Sequence, residues 1–279
     1  MALPARRRQV PLVIGQDEAI IRQYDPIAEL YDGYPGDYLE DVLFYVEEGK
    51  ASRTPVLEIG VGTGRLALCM AAVGIDVVGI DSSVSMLHRL AEKRATVPEV
   101  APRVQVIAAD MRSFTLLRRF DLAIIPFRTF LYLLTASDQR RALRTIRQHI
   151  EPGGCLIMSF FVPPAEILEK GRTPRQEMVR FLSPDTDGDV VAYDWAEFVP
   201  NHQQIVSHIT YEWRDRRDRT IRSLDHTMVA RYIFPKEMPP LLESCGYRVI
   251  HAYGSFAREP LTDRSHEQIW IAEPRRRRH

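Results

Sequence analysis

The chain has 279 residues, of which 45% are hydrophobic and 27% charged, with 37 basic side chains balanced by 37 acidic ones. That length allows one large domain or two small ones, and the composition is that of a globular protein whose core needs no disulfide or metal staple. A net charge of zero argues against a dedicated nucleic-acid binder, whose affinity rests on neutralising phosphates. Nucleic acid is therefore not the expected partner, and the arginine runs at residues 6–8 and 275–278 read as solvated tails.

Cys69, Cys155 and Cys245 are odd in number and far apart, with neither CxxC spacing nor a disulfide framework. No run reaches the ~20 apolar residues of a membrane span, and no apolar segment follows the N-terminal arginines. The expectation is a cytoplasmic chain with no membrane contact.

In chain order, strands alternate with helices over the first 160 residues. Residues 56–59 read as a buried strand running into a glycine loop, and 65–73 as a helix stopped by Gly74. The strand at 76–80 ends at Asp81; Ser82 or Ser83 then caps a helix reaching about residue 94. Strands at 104–108 and 121–125 follow, then a helix from Ser137 to Ile150 and a strand at 155–161. This is the pattern of βαβ units and a parallel sheet with helices on both faces.

After Pro163-Pro164 the rhythm changes. Residues 190–199, 204–213 and 224–234 are rich in Val, Ile, Tyr, Trp and Phe, and read as an antiparallel meander. A helix at 235–245 and strands at 247–253 and 268–272 restore the earlier pattern. The expected organisation is an N-terminal helical cap (1–53), a Rossmann-like core (54–163 and 235–273), an inserted antiparallel substrate lid (164–234) and a basic tail (274–279).

The segment VLEIGVGTGRLAL at 56–68 is the most informative. A strand turning through Gly60, Gly62 and Gly64 lets a ligand approach the backbone closely. A dinucleotide site would want GxGxxG, and here its third glycine position holds Arg65. Glu58, inside the strand, would repel a pyrophosphate and suit a cation. S-adenosylmethionine carries an ammonium and a sulfonium and no phosphate. Asp81, at the next strand end, suits the two ribose hydroxyls, and Asp110, at the third, suits an adenine amino group. Three acids at three successive strand ends converge on one crevice.

VLEIGVGTGRLAL, VGIDSSVSML, VIAADMRSF and FDLAIIPFRTFLYLL resemble the successive motifs of the class I S-adenosylmethionine-dependent methyltransferases. The resemblance implies a Rossmann-like sheet of seven strands, mostly parallel with the last antiparallel, and small-molecule methylation by in-line displacement. It puts Gly60, Gly62, Gly64 and Arg65 around the methionine portion with Glu58 beneath. Asp81 would hold the ribose with Met86 nearby, Asp110 and Met111 would flank the adenine, and Pro126 and Phe127 would sit beside the reacting methyl. Tyr24 and Tyr31 resemble the tyrosine-rich helix that covers the donor in small-molecule members, and Tyr34 continues it.

The Asn/Asp-Pro-Pro-Tyr/Phe signature of amino-methylating enzymes of DNA and some proteins and RNAs is absent; Ile125-Pro126-Phe127-Arg128 stands in its place. Acceptor-pocket candidates are Arg128, Tyr31, His208 and Arg231, with no assigned general base. Along 193–197, Tyr193, Trp195 and Glu197 share one strand face and Asp194 the other. The acids of 183–189 lack the twelfth-position glutamate of a calcium loop, so no metal is expected. A methyltransferase of tRNA or protein and a silent S-adenosylmethionine binder are the alternatives, and a homodimer is compatible with either.

Overall fold

The computed structural model describes residues 22–33 and 39–275. The expected basic runs at 6–8 and 276–278, and Tyr34, lie outside the described residues. β1 (Val56–Ile59) is buried at every position, as befits a strand covered on both faces. It pairs in parallel with β2 (Val77–Asp81) on one side and β4 (Phe120–Ile125) on the other. β3 (Val104–Ala108) extends the sheet beyond β2, and β5 (Ile150–Phe161) beyond β4.

β11 (Glu267–Pro274) slots antiparallel between β5 and β10 (Tyr247–Tyr253), giving the order β10-β11-β5-β4-β1-β2-β3. The seven-stranded, mostly parallel sheet expected from the sequence is therefore present, with the last strand in the chain antiparallel. Its order reverses direction between β1 and β4, and a crevice opens at such a switch point beyond the carboxyl ends of the strands.

Helices cover both faces. α1 (Glu40–Lys50), α2 (Arg65–Ala72) and α3 (Val84–Ala95) lie on one side, where Tyr45, Met70 and Leu90 pack on Val56, Ile124 and Ile157. α4 (Ala136–Arg147) and α6 (Met238–Ser244) lie on the other, with Leu143 and Leu242 against Leu57, Ile125 and Leu156. Ser83 Oγ accepts the Met86 N–H at 3.1 Å and Thr135 Oγ1 the Asp138 N–H at 3.1 Å, so α3 and α4 begin at side-chain caps.

Between β5 and α6 the chain forms α5 (Ala165–Lys170) and a second, antiparallel sheet of four strands. These are β6 (Gln176–Leu182), β7 (Asp189–Val199), β8 (Gln204–Arg214) and β9 (Thr220–Arg231). Three of the four match the expected meander. β6 departs from it: no strand is expected there from the sequence, and this edge strand has mostly exposed positions in which apolar and polar residues do not alternate. The inner face of this lid packs Val190, Ile209, Tyr211 and Met228 against Ile27 and Leu30 of the N-terminal segment. Acids of the 183–189 loop serve as local anchors, with Asp185 accepting from Trp213 Nε1 at 2.9 Å and from Arg222 at 2.8 Å.

The N-terminal cap differs from the expected tyrosine-rich helix. Tyr24 and Tyr31 border or begin short 3₁₀ turns, Asp25–Ile27 and Tyr31–Gly33, and the α-helix starts only at Glu40. The first of these turns contains Pro26, which cannot donate a backbone hydrogen bond.

Gln268 joins the two halves of the molecule. Fully buried, it donates from Nε2 to the Ile233 carbonyl just beyond the lid (2.7 Å) and accepts from Trp270 Nε1 (2.9 Å). Gln268→Ala orphans both partners, each at a cost of about 1–3 kcal/mol. Urea unfolding should show a drop in stability of that size without loss of cooperativity; an unchanged midpoint would contradict the bridging role.

Candidate functional site

The carboxyl ends of β1, β2, β3 and β4 open into a cavity of about 770 Å³ of empty space including its mouth. Its floor is the glycine turn after β1. Gly60 and Gly62 have φ of 75° and 54°, where a side chain is strained. A Cβ at Gly60 would fall onto the Thr129 side chain, and one at Gly62 would stand 3.3 Å from Met86 Cε. The bare backbone is what leaves room for a ligand here.

Asp81, at the end of β2, holds this turn in place. One carboxylate oxygen accepts the Gly62 N–H at 2.8 Å and the other the Ser83 N–H at 2.8 Å. Burial pushes its pKa upward, and those backbone donors pull against the rise. Met86 and Met111 bring polarizable, flexible side chains to the cavity wall. Asp110, after β3, is held by Arg112: its oxygens accept from Arg112 N (2.8 Å), Nε (2.9 Å) and Nη2 (2.6 Å). Arg112 also reaches Asp138 at 3.1 Å, which fixes the pair against α4. Although burial opposes it, the arginine holds the Asp110 carboxyl below the usual range.

Glu58 lies beneath the turn, 2% exposed, and its Oε2 has no hydrogen-bond partner among the described residues. Burial pushes its carboxyl up to about 8, against the pull of Arg65. Such an orphaned buried acid fits a cationic ligand portion above it. Arg65, at the start of α2, is paired with both oxygens of buried Asp41, at 2.9 Å in one of the two bonds, and lies 4.6 Å above the Phe127 ring.

Residues 22–33 roof the cavity. Thr63 Oγ1 donates to Asp32 at 2.5 Å, Lys93 pairs with Asp32 at 2.8 Å, and Ser83 Oγ donates to Asp25. The Gln23 amide exchanges two hydrogen bonds with the Val229 backbone of the lid, at 3.3 and 2.9 Å. Burial raises the Tyr31 phenol above its usual range, so it stays protonated.

A second cavity, of about 1000 Å³ of empty space including its mouth, lies between the lid and the sheet edge. Tyr24, Tyr31, Phe127 and Tyr132 line both cavities, so one aromatic wall separates and joins them. Tyr24 meets Tyr31 and Tyr132 edge to face, with centroids 5.4 and 5.3 Å apart, and its hydroxyl bonds that of Tyr132. Phe127 and Arg128 both take positive φ, 50° and 70°. Two bulky residues in succession there store backbone strain, of order 1–3 kcal/mol each, and the turn aims both side chains at the cavities. Arg128 lines the second cavity and rests over Phe161 at 4.9 Å.

Of the residues expected to form the site, Tyr24, Tyr31, Gly60, Gly62, Asp81, Met86, Asp110 and Met111 line the first cavity. Glu58, Gly64, Arg65 and Pro126 stand behind that lining. Arg128 and Tyr31 reach the second. His208 and Arg231 do not, and their expectation is corrected. His208 lies on the outer lid face, stacked 3.9 Å from Trp195, because Asp194 and not its neighbours faces inward. Arg231 is spent at the lid base on Gln203 (3.0 Å) and Glu237 (3.8 Å). Gln23, Arg112, Thr129, Tyr132 and Asp194 line the cavities although the sequence pattern does not mark them as site residues. Tyr132 lies in an apolar run, and Asp194 falls on the strand face opposite Tyr193, Trp195 and Glu197.

Residues 56–154 match the family model described as a methyltransferase domain. The chain is similar to the cypemycin N-terminal methyltransferase of a Streptomyces species, at 26% identity over 92% of this chain and 96% of that protein. It is also similar to the dTDP-3-amino-3,4,6-trideoxy-alpha-D-glucopyranose N,N-dimethyltransferase of Streptomyces venezuelae, 29% identical over 42% of this chain and 53% of the relative. Among solved structures, the CcbJ methyltransferase from Streptomyces caelestis superposes with a TM-score of 0.77 at 26% identity, covering 92% and 99% of the two chains.

The orphaned acid generates a pH prediction. Between about 4.5 and 8 the folded protein keeps a proton on Glu58 that the unfolded chain releases, so raising the pH through this window removes stability. Glu58→Gln cannot titrate. Its stability relative to the parent, measured by urea unfolding, should grow steadily from pH 5 to pH 8. A difference independent of pH would mean that Glu58 is ionised throughout.

Proposed function

Because the chain is a class I S-adenosylmethionine-dependent methyltransferase, we propose that it holds the donor in the first cavity and methylates a small-molecule acceptor in the second. The observation that carries this reading is the shared wall of Tyr24, Tyr31, Phe127 and Tyr132, which puts the two cavities in contact at one place. When bound, S-adenosylmethionine supplies an electrophilic methyl on a positively charged sulfur.

The residues then divide the work. Asp81 receives the ribose hydroxyls on the free lone pairs of its two oxygens, while Met86 and Met111 flank the adenine. The Asp110–Arg112 pair closes that end. The Gly60–Gly62 turn lies along the methionine portion, with the Glu58 carboxyl beneath its ammonium. Tyr24, Tyr31 and Tyr132 exclude water at the junction and aim the acceptor along the line of displacement, and this alignment is the main source of acceleration. The Streptomyces venezuelae relative is named an N,N-dimethyltransferase and the cypemycin relative an N-terminal methyltransferase, and both names favour a nitrogen acceptor. The narrow roof and enclosed second cavity favour a small molecule over RNA or a folded protein.

Calorimetry should show binding of S-adenosylmethionine and of its demethylated product, and none of NAD. Asp81→Asn replaces one acceptor oxygen by a donor and should weaken the donor roughly 100-fold, about 3 kcal/mol. Unchanged affinity in that variant would remove the ribose assignment. A radiolabelled methyl assay should place the label in the low-molecular-weight fraction; label confined to RNA or protein would overturn the small-molecule reading.

A further inference from the structure

The second cavity has an uneven chemistry. Its walls are mostly aromatic and aliphatic, with one hydroxyl, Ser207, one carboxylate, Asp194 of β7, and one cation, Arg128. Neither has an ion-pair partner within 4 Å among the described residues. Arg65, behind the same wall, is by contrast neutralised by Asp41. Asp194 is half-buried, and across the strand pair it faces Gln176 of β6, whose side chain donates to it. A half-buried carboxylate whose one cation, Arg128, stands beyond ion-pair distance gains further from a ligand that brings an ammonium against it.

The surrounding rings point to the same ligand charge. Tyr24, Tyr31, Tyr132, Phe161, Phe198 and Tyr211 line the chamber around Asp194. Aromatic faces attract a desolvated ammonium, most strongly where water is excluded. An alcohol or phenol acceptor would have no charge to set on Asp194. Arg128 takes no part in the first cavity's lining, so its guanidinium serves the acceptor and not the donor's carboxylate.

Resting on the two-cavity reading above, we propose that the acceptor is an ampholyte: an amine delivered as its ammonium to Asp194, with an acidic group placed on Arg128. Asp194 is then a catalytic residue. Its carboxylate takes the proton from the ammonium, and the freed nitrogen lone pair forms the bond to the donor's methyl carbon. The carbon–sulfur bond breaks with its electron pair left on sulfur, giving the neutral thioether and the methylated ammonium. Charge and atoms balance with no further reactant. The groups that act on Asp194 are Gln176 of β6 and Arg128 from the β4 loop, with Glu267 of β11 in turn acting on Arg128; Tyr24, Tyr31, Tyr132 and Tyr211 line the same chamber. Burial raises the Asp194 carboxyl above its ordinary value, which makes it a better proton acceptor, and the Gln176 hydrogen bond and Arg128 limit that rise.

The acceptor need not be identified in advance. The protein is incubated with S-adenosylmethionine labelled in its methyl group and a low-molecular-weight extract of the source cells. The labelled product should be retained by a cation exchanger at acid pH and by an anion exchanger at alkaline pH, with the methyl on nitrogen by mass spectrometry. A labelled neutral or purely anionic product would overturn the ampholyte and leave the two-cavity reading intact. Label in macromolecules alone, or none at all, would sink both.

With the purified acceptor as substrate, Asp194→Asn should lower kcat/KM at least 100-fold at pH 7. Activity should recover as the pH approaches the amine's own range, where free amine is supplied by solution. Asp194→Glu should restore most of the activity at pH 7, and Arg128→Gln should raise KM about tenfold with kcat kept. An Asp194→Asn loss equal at every pH, or no loss, would overturn the proton transfer.

Discussion

One part-buried carboxylate sets the geometry on which the first cavity and its roof depend. Asp81 accepts one backbone N–H from the glycine turn and one from the Ser83 cap of the next helix. Charge-assisted bonds of this kind are worth roughly 1.5–3 kcal/mol each, enough to fix the two loops relative to each other. The chain of consequence continues through Ser83, which caps α3 at Met86 and donates to Asp25 in the roof. The glycine turn, the Met86 wall and the cover above them are therefore positioned by one residue.

The roof extends that order to the lid. Residues 22–33 are fastened to the glycine turn through Thr63, to α3 through Lys93 and to β9 through the paired bonds of Gln23. Tyr24 and Tyr31 sit between those fastenings and form part of both cavity walls. A ligand in either cavity therefore lies against the same short segment. Its two 3₁₀ turns contribute few intramolecular backbone bonds, so its position rests on these side-chain anchors and on the packing of Ile27 and Leu30 against the lid.

The donor half of the site is legible in the sequence because its residues follow strand ends in order. Glu58, Asp81 and Asp110 mark the ends of β1, β2 and β3, and parallel strands necessarily deliver their ends to one edge. The acceptor half is less legible. Period-two alternation assigns the residues of β7 to two faces, but it cannot say which face the lid presents to the core. Trp195 and His208 look the more chemical choice, and they stack on the outside, while Asp194, Ala196 and Phe198 face inward. Arg231 cannot be distinguished from a pocket arginine until the fold brings Gln203 and Glu237 beside it. Gln23 carries no sequence signal, since its partner is a backbone 206 residues away.

The positive-φ turn at Phe127 and Arg128 is where local rules and function part company most clearly. Nothing in Ile125-Pro126-Phe127-Arg128 marks a left-handed backbone, for which glycine or asparagine would be the ordinary choice. The Arg128 N–H bond to the Ser159 carbonyl at 3.2 Å and the stacking of Arg65 on Phe127 hold it. The central claim is that the Asp81-organised turn accepts the adenosyl group. A crystal structure of the chain with S-adenosylhomocysteine tests it most directly. The account predicts ribose hydroxyls within hydrogen-bond distance of Asp81 and adenine between Met86 and Met111; density for the ligand elsewhere, with the turn closed on itself, would contradict it.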